Sequence, residues 1–130
     1  MLGLIGSATG SGSHQDPIQV VQSRGGVTVL VLSGELDIAS TPRLQVAINE
    51  VLWARPAALV IDLCRVSFAD STVLALLLNA QRRATHQGTP LRMACDVDTT
   101  LELFALTRLD REFEIHPTRR AAIRASRPKA

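Results

Sequence analysis

From Pro17 onward the chain alternates short β-branched runs with stretches whose apolar residues recur every three or four positions. Ile18 to Gln22 and Val27 to Leu32 flank Ser23-Arg24-Gly25-Gly26, and the two glycines supply the positive φ angles of a tight antiparallel hairpin. After Ser33-Gly34-Glu35-Leu36-Asp37, the triplet Ser40-Thr41-Pro42 offers a hydroxyl cap and a proline near the first helical position, where its missing N–H costs nothing. Leu44, Ala47, Ile48 and Val51 then form one inward stripe of a helix that stops before Pro56. Ala57 to Leu63 is almost continuously apolar, the composition of a central parallel strand covered on both faces.

Cys64 to Ala69 reads as a loop delivering the chain to Asp70-Ser71-Thr72, which opens a second helix with Val73, Leu76, Leu77, Ala80 and Ala84 inside and Asn79, Arg82 and Arg83 outside. Gly88-Thr89-Pro90 ends it. Leu91 to Val97 predicts a further strand, Asp98-Thr99-Thr100 the cap of a third helix carrying Leu101, Phe104, Ala105 and Leu109, and Phe113 to His116 a short last strand. The order β-β-α-β-α-β-α-β is that of an α/β domain. An initial hairpin continues into a parallel region with right-handed crossovers, giving a mixed sheet with helices packed against it. No internal repeat interrupts this order.

Composition narrows the function classes. A chain of 130 residues with 46% apolar and 20% charged positions is one domain with a sufficient core. Trp53, Phe68, Phe104 and Phe113 are the only aromatic residues. They are too few and scattered to stack bases, so nucleic acid is not an expected partner. Five of the 14 Lys+Arg, namely Arg119, Arg120, Arg124, Arg127 and Lys129, fall in the last dozen residues, leaving nine against 12 Asp+Glu elsewhere. The domain body is thus acidic, and residues 118–130 read as a solvated basic tail. Residues 1–16, rich in Gly and Ser after Met1 to Ile5, read as a flexible leader, and 17–117 as the domain. No run approaches the about 20 apolar residues of a membrane span, and no secretory signal is present, so no membrane partner and a cytoplasmic setting are expected.

Chemistry-bearing motifs are sparse. His14, His86 and His116 have no nucleophile or carboxylate tied to them by spacing, and there is no Gly-x-Ser-x-Gly elbow, phosphate loop or metal-ligating pattern. The chain is therefore expected to be no enzyme and to hold no metal or cofactor. Cys64 and Cys95 lie in consecutive strands; they are either free buried thiols or, if those strands are neighbours, a redox pair. The Asp70-Ser71-Thr72 hydroxyls have two readings. One is simple helix capping; the other is acceptance of a phosphate, whose added charge a helix N-terminus favours and an acidic partner repels.

Ser33-Gly34-Glu35-Leu36-Asp37, then Val60-Ile61-Asp62-Leu63 with Val66-Ser67-Phe68-Ala69-Asp70-Ser71-Thr72, then Leu106-Thr107-Arg108-Leu109-Asp110, resemble in order the STAS family of anti-sigma factor antagonists. The resemblance runs from about Ile18 to His116. It implies a small α/β fold that binds an anti-sigma factor, often a serine kinase, and so frees the sigma factor. It further implies that the kinase silences the antagonist by phosphorylating an Asp-Ser-Ser/Thr-Gly motif. Asp70 and Ser71 match its first two positions and Thr72 the acceptor, with Ser71 the second choice. Val73 stands on the glycine and is expected to narrow a kinase's approach. Arg108 stands on a glycine that would end the third helix in a left-handed conformation.

The same resemblance places Asp37 beside the acceptor loop. The implied partner surface comprises Asp37, Asp70, Ser71 and Thr72 with Leu74, Ala75, Leu78 and Asn79 of the following helix, where Leu74 and Leu78 either widen the core face or form an exposed apolar ridge. Two alternatives stand beside this reading. One is a STAS scaffold without the phosphate switch, constitutive or redox-regulated through Cys64 and Cys95. The other is a small α/β ligand-binding domain or enzyme with a pocket near Asp62, Asp98 and Thr99.

Overall fold

A computed structural model describes residues 16–127. Strand β1 (Ile18–Gln22) pairs antiparallel with β2 (Val27–Leu36), in register from Ile18 opposite Leu32 to Gln22 opposite Thr28. The turn between them is a short 3-10 segment in which Gly25 and Gly26 have φ of 75° and 77°. Gly26 is needed twice over, because a Cβ there would also lie 3.1 Å from that of Ala57. Strands β3 (Ala58–Ala69), β4 (Leu91–Ala94) and β5 (Glu114–His116) follow in parallel, giving the sheet order β1-β2-β3-β4-β5.

The crossovers are helices α1 (Thr41–Trp53), α2 (Ser71–Gln87) and α3 (Asp98–Leu106). Successive crossovers step the same way along the sheet and share one hand, so all three helices fall on one face. There Leu44 and Ile48 of α1, Val73 and Leu77 of α2 and Phe104 of α3 close over Leu30, Leu32, Leu59, Ile61 and Met93. Phe104 meets Phe113 with ring centroids 5.8 Å apart. The opposite face carries Val27, Val29, Val31, Ala58, Val60 and Ala94. It is covered by a fourth helix, α4 (Arg119–Ser126), through Ala122 and Ile123.

Helix α4 corrects the reading of residues 118–130 as a solvated tail. Thr118 caps it by accepting from the Ala121 N–H at 3.0 Å, and Arg119 donates from Nε to Asp62 Oδ2 at 2.7 Å. Ser126 accepts from Arg92 at 3.3 Å. Asp16, assigned to the leader, likewise belongs to the fold: it caps the Ile18 N–H and pairs with Arg43 of α1 at 2.6 Å. Residues 1–15 and 128–130 lie outside the described residues, and with them the rest of the leader and Lys129.

Two strand boundaries differ from expectation for one reason. The β2–β3 ladder continues beyond Leu32 and Leu63 to Leu36 opposite Ala69, but with register shifts between Val31 and Ser33 and between Gly34 and Glu35. At each shift β3 contributes one extra residue, so the core-facing positions run Leu63, Val66, Ala69 instead of every second residue. The period-two signal that identifies a strand is therefore absent where the strand exists. At the other end β4 stops at Ala94, three residues early, because Val97 already serves as the N-cap of α3. Arg108 takes the left-handed conformation expected of the glycine it replaces, with φ 63°.

Candidate functional site

The extended β2–β3 ladder carries two loops to the same end of the sheet. The Asp70 N–H donates to the Leu36 carbonyl at 3.1 Å, which sets the Asp37 turn beside the start of α2. Asp37 caps a 3-10 turn, Ile38–Ser40, accepting from the Ala39 N–H at 3.0 Å, while its own N–H reaches Ser40 Oγ at 3.4 Å. Ser40 is thus spent on this turn and makes no side-chain bond to α1, contrary to the expected cap. The Asp37 carboxylate is exposed.

At the head of α2, Asp70 takes the capping role: its Oδ1 accepts from the Val73 N–H at 3.1 Å, worth about 1 kcal/mol. Ser71 and Thr72, the first two helical residues, are exposed, and neither hydroxyl has a hydrogen-bond partner among the described residues. Val73 is fully buried. Its side chain points into the core in a helical turn, so it does not narrow access to Thr72 as the sequence suggested, and glycine's conformational freedom is not required there.

Along α2, Thr72, Ala75, Asn79 and Arg82 form an exposed line, and Arg83 reaches across the surface to Asn49 of α1 at 2.7 Å. Leu74 is 3% exposed and belongs to the core, which removes it from any partner surface and corrects the idea of a Leu74/Leu78 ridge. Leu74 lies farther round the helix than Leu76 from the centre of the Val73/Leu77/Ala80/Ala84 stripe, so periodicity alone favours the wrong one of the two. The neighbour decides: Gln81, on the Leu74 flank, donates to the Glu112 carbonyl at 3.1 Å, so the connection from α3 to β5 closes over that side. Leu76 and Leu78 are half-buried against the core.

Sequence reasoning missed an apolar component of this end. Ile38 is 69% exposed, Phe68 52% and Leu106 83%. Phe68 and Leu106, with Thr100, Glu102 and Leu103, line a groove of about 370 Å³ between the end of β3 and α3. The signal lies in Phe68, but its side of the sheet is unreadable when Cys64 to Ala69 reads as a loop. Exposed Glu35, Asp37, Asp96 and Asp98 ring the same strand ends with negative charge.

The remaining candidates do not join this site. Cys64 and Cys95 sit on neighbouring strands but on opposite faces: Cys64 packs toward α4, Cys95 belongs to the three-helix core, and both thiols are free. Side chains directed to opposite faces cannot meet the geometry of a disulfide, which overturns the redox pair. Burial, reinforced by the Asp62 carboxylate, pushes the Cys64 thiol up to about 12, and burial raises Cys95 as well, so neither is a ready thiolate. Asp62 lies under α4, held by the Cys64 N–H at 2.9 Å and by Arg119. Burial drives its carboxyl up, but those hydrogen bonds outweigh that and hold it below the usual value. Asp98 is exposed in the first turn of α3, so the two carboxylates do not share a pocket. Among the described residues no three His, Cys, Asp or Glu side chains converge as a metal site, and no helix is long and apolar enough to cross a membrane.

Comparison with known proteins agrees with this architecture. Residues 20–117 match the family described as Mlab, STAS domain. The anti-sigma-F factor antagonist RsfB of Mycobacterium tuberculosis is 35% identical over 107 residues, spanning 82% of this chain and 87% of its own length. A crystal structure of an anti-sigma factor antagonist from Mycobacterium paratuberculosis superposes with a TM-score of 0.73 at 31% identity, covering 85% of this chain and 95% of that one. The phosphorylated form of the Bacillus cell fate determinant SpoIIAA shares the fold, with a TM-score of 0.67 at 21% identity over 85% of this chain and 99% of its own. With its hairpin-led sheet, its three one-sided crossover helices and its hydroxyl pair at the head of α2, the chain belongs to the STAS domain family of anti-sigma factor antagonists.

Proposed function

We propose that this chain is a binding module, not an enzyme, that captures an anti-sigma factor of the serine kinase type and thereby frees the sigma factor. The binding face is the end of the sheet where Asp37, Asp70, Ser71 and Thr72 meet, continued along Ala75, Leu78 and Asn79 of α2 and flanked by the Phe68–Leu106 groove. An apolar groove beside a rim of carboxylates suits a partner that brings apolar anchors and basic side chains. In this reading the protein works in the cytoplasm and needs no cofactor.

The observation that carries the regulatory half is the division of labour at the head of α2: Asp70 does the capping, which leaves the Thr72 hydroxyl solvent-facing and without a hydrogen bond among the described residues. The partner kinase transfers the γ-phosphoryl group of ATP to Thr72 Oγ1; the hydroxyl proton passes to the kinase's base and ADP leaves. The product carries roughly two added negative charges at a helix N-terminus, which tolerates them locally. They lie beside the Asp37 turn, so the face gains like charge and volume where the partner must seat, and the complex weakens.

A titration of the anti-sigma factor against three proteins tests this. Wild type and Thr72→Ala should bind alike, while Thr72→Glu binds at least tenfold more weakly. Equal affinities for all three would defeat the switch. Incubation with the kinase and ATP should add one phosphate by intact mass to wild type and to Ser71→Ala, and none to Thr72→Ala. An unmodified wild type would instead favour a constitutive antagonist.

A further inference from the structure

The outer surface of α4 is not explained by the antagonist reading. Arg119, Arg120, Ile123, Arg124 and Arg127, together with Ser23 of the β1–β2 turn, line a groove of about 460 Å³. It lies on the sheet face opposite α2 and extends to the N-terminal end of the parallel strands, remote from Thr72. Arg119 is neutralised by Asp62, but Arg120, Arg124 and Arg127 have no carboxylate within ion-pair distance among the described residues.

The arrangement runs against helix electrostatics at two points. Arg119 and Arg120 occupy the first turn of α4, which has no acidic residue, so cations sit at the positive end of the helix dipole. Arg120 and Arg124 are four residues apart, so like charges stack along one face, and Arg127, extended just past the end of the helix, adds a third charge to the groove. A solvated surface would be relieved by any interspersed Glu or Asp, and α4 has none. Violations of local preference without internal compensation gather where a ligand supplies the missing partner. Ser23, half-buried, also lines the groove, and its hydroxyl makes no side-chain cap bond in its own turn.

We infer that this groove binds a small anion bearing two or more linked phosphate groups, such as a free oligophosphate or the phosphate chain of a nucleotide. Guanidinium forks match phosphate oxygens in pairs, and several on one concave wall favour a chain of phosphates over a single carboxylate. The volume accommodates a ligand of that size. No aromatic side chain lines the groove, so it does not read a base. A membrane surface is disfavoured, because the apolar side of α4 is turned onto the sheet and Ile123 is half-buried. An eight-residue helix is only about 12 Å long, too short a track for duplex nucleic acid.

Calorimetric titration of the full chain with inorganic triphosphate at low salt tests the inference. Binding is expected, weakening as salt is raised and falling about tenfold or more in the double variant Arg120→Gln, Arg124→Gln. Both side chains are exposed and hold no partner among the described residues, so the variant should keep its wild-type circular dichroism. The affinity of each protein for the anti-sigma factor should be unchanged, which separates this site from the Thr72 face. ATP, GTP and triphosphate should compete on equal terms. The inference is overturned by absent triphosphate binding, by binding that the double variant retains, by strong discrimination between bases, or by preferential capture of duplex DNA. Binding only to vesicles of equal parts phosphatidylcholine and phosphatidylserine, with none to free triphosphate, would overturn it too.

Discussion

The two faces of the sheet solve the same problem with different materials. Under α1, α2 and α3 the strands present Leu30, Leu32, Leu59, Ile61, Leu63 and Met93, long side chains that reach across a full helical layer. Under α4 they present Val27, Val29, Val31, Ala58, Val60 and Ala94, against which the helix sets Ala122. In β2 and β3 the larger and smaller residues alternate by parity, so one pleat encodes both a thick layer and a thin one. The thick layer is held by apolar area. The thin one buries too little to be held that way and adds polar latches: Asp62 with Arg119, Ser126 with Arg92, and the Thr118 cap.

The contrast can be broken most severely on the thick face. Phe104→Ala should cost about 3–5 kcal/mol by chemical denaturation, since it empties a fully buried aromatic site in the middle of the core. On the thin face, Arg119→Ala should cost about 2 kcal/mol, less than a fully buried pair because Arg119 is 37% exposed while Asp62 is only 5% exposed. That cost carries a pH signature. The folded Asp62 carboxyl titrates below its unfolded value, so the latch contributes fully above the unfolded pKa near 3.9 and is lost as pH falls through the lower folded value. The stability gap between wild type and Arg119→Ala should therefore be flat at neutral pH and close in that acid window. A gap unchanged by acid would mean that packing, not the ion pair, holds α4.

Two smaller effects sharpen the picture at the ends of the thick face. Asp70→Ala should lose about 1 kcal/mol and, read by amide exchange, loosen the first turn of α2 with Ser71 and Thr72 in it. Arg108→Gly should gain about 0.5 kcal/mol, because the left-handed conformation at φ 63° strains an arginine more than glycine's extra freedom costs. A loss there would show that the arginine side chain offsets its own strain.

Much of this architecture was readable from the chain. The runs that form β2 and the first half of β3 are almost continuously apolar because both faces are covered, and Asp70 announced α2 by its own side chain. What escaped did so for identifiable reasons. The bulged half of β3 alternates out of step, so the strand, and with it the outward side of Phe68, could not be recognised. Leu74 lay at a helical angle that only a neighbouring segment resolves. Helix α4 was hidden by its own economy: facing valines and alanines, it needs Ala122 and Ser126 inside and no leucine, so only the basic residues of this segment stood out.

The sheet order has a kinetic corollary. Apart from the hairpin, every strand pairing joins positions well apart in the chain, as Val27 with Ala58, Leu59 with Leu91 and Arg92 with Glu114. Such ladders close large loops before any contact rewards them, so assembly should be slow relative to a helical bundle of this size and should start from the local β1–β2 turn. The valine-bearing surface must then wait for the last helix in chain order. Until α4 docks, a folding intermediate would display a β-branched apolar sheet to water, the kind of surface on which unfinished chains adhere to one another.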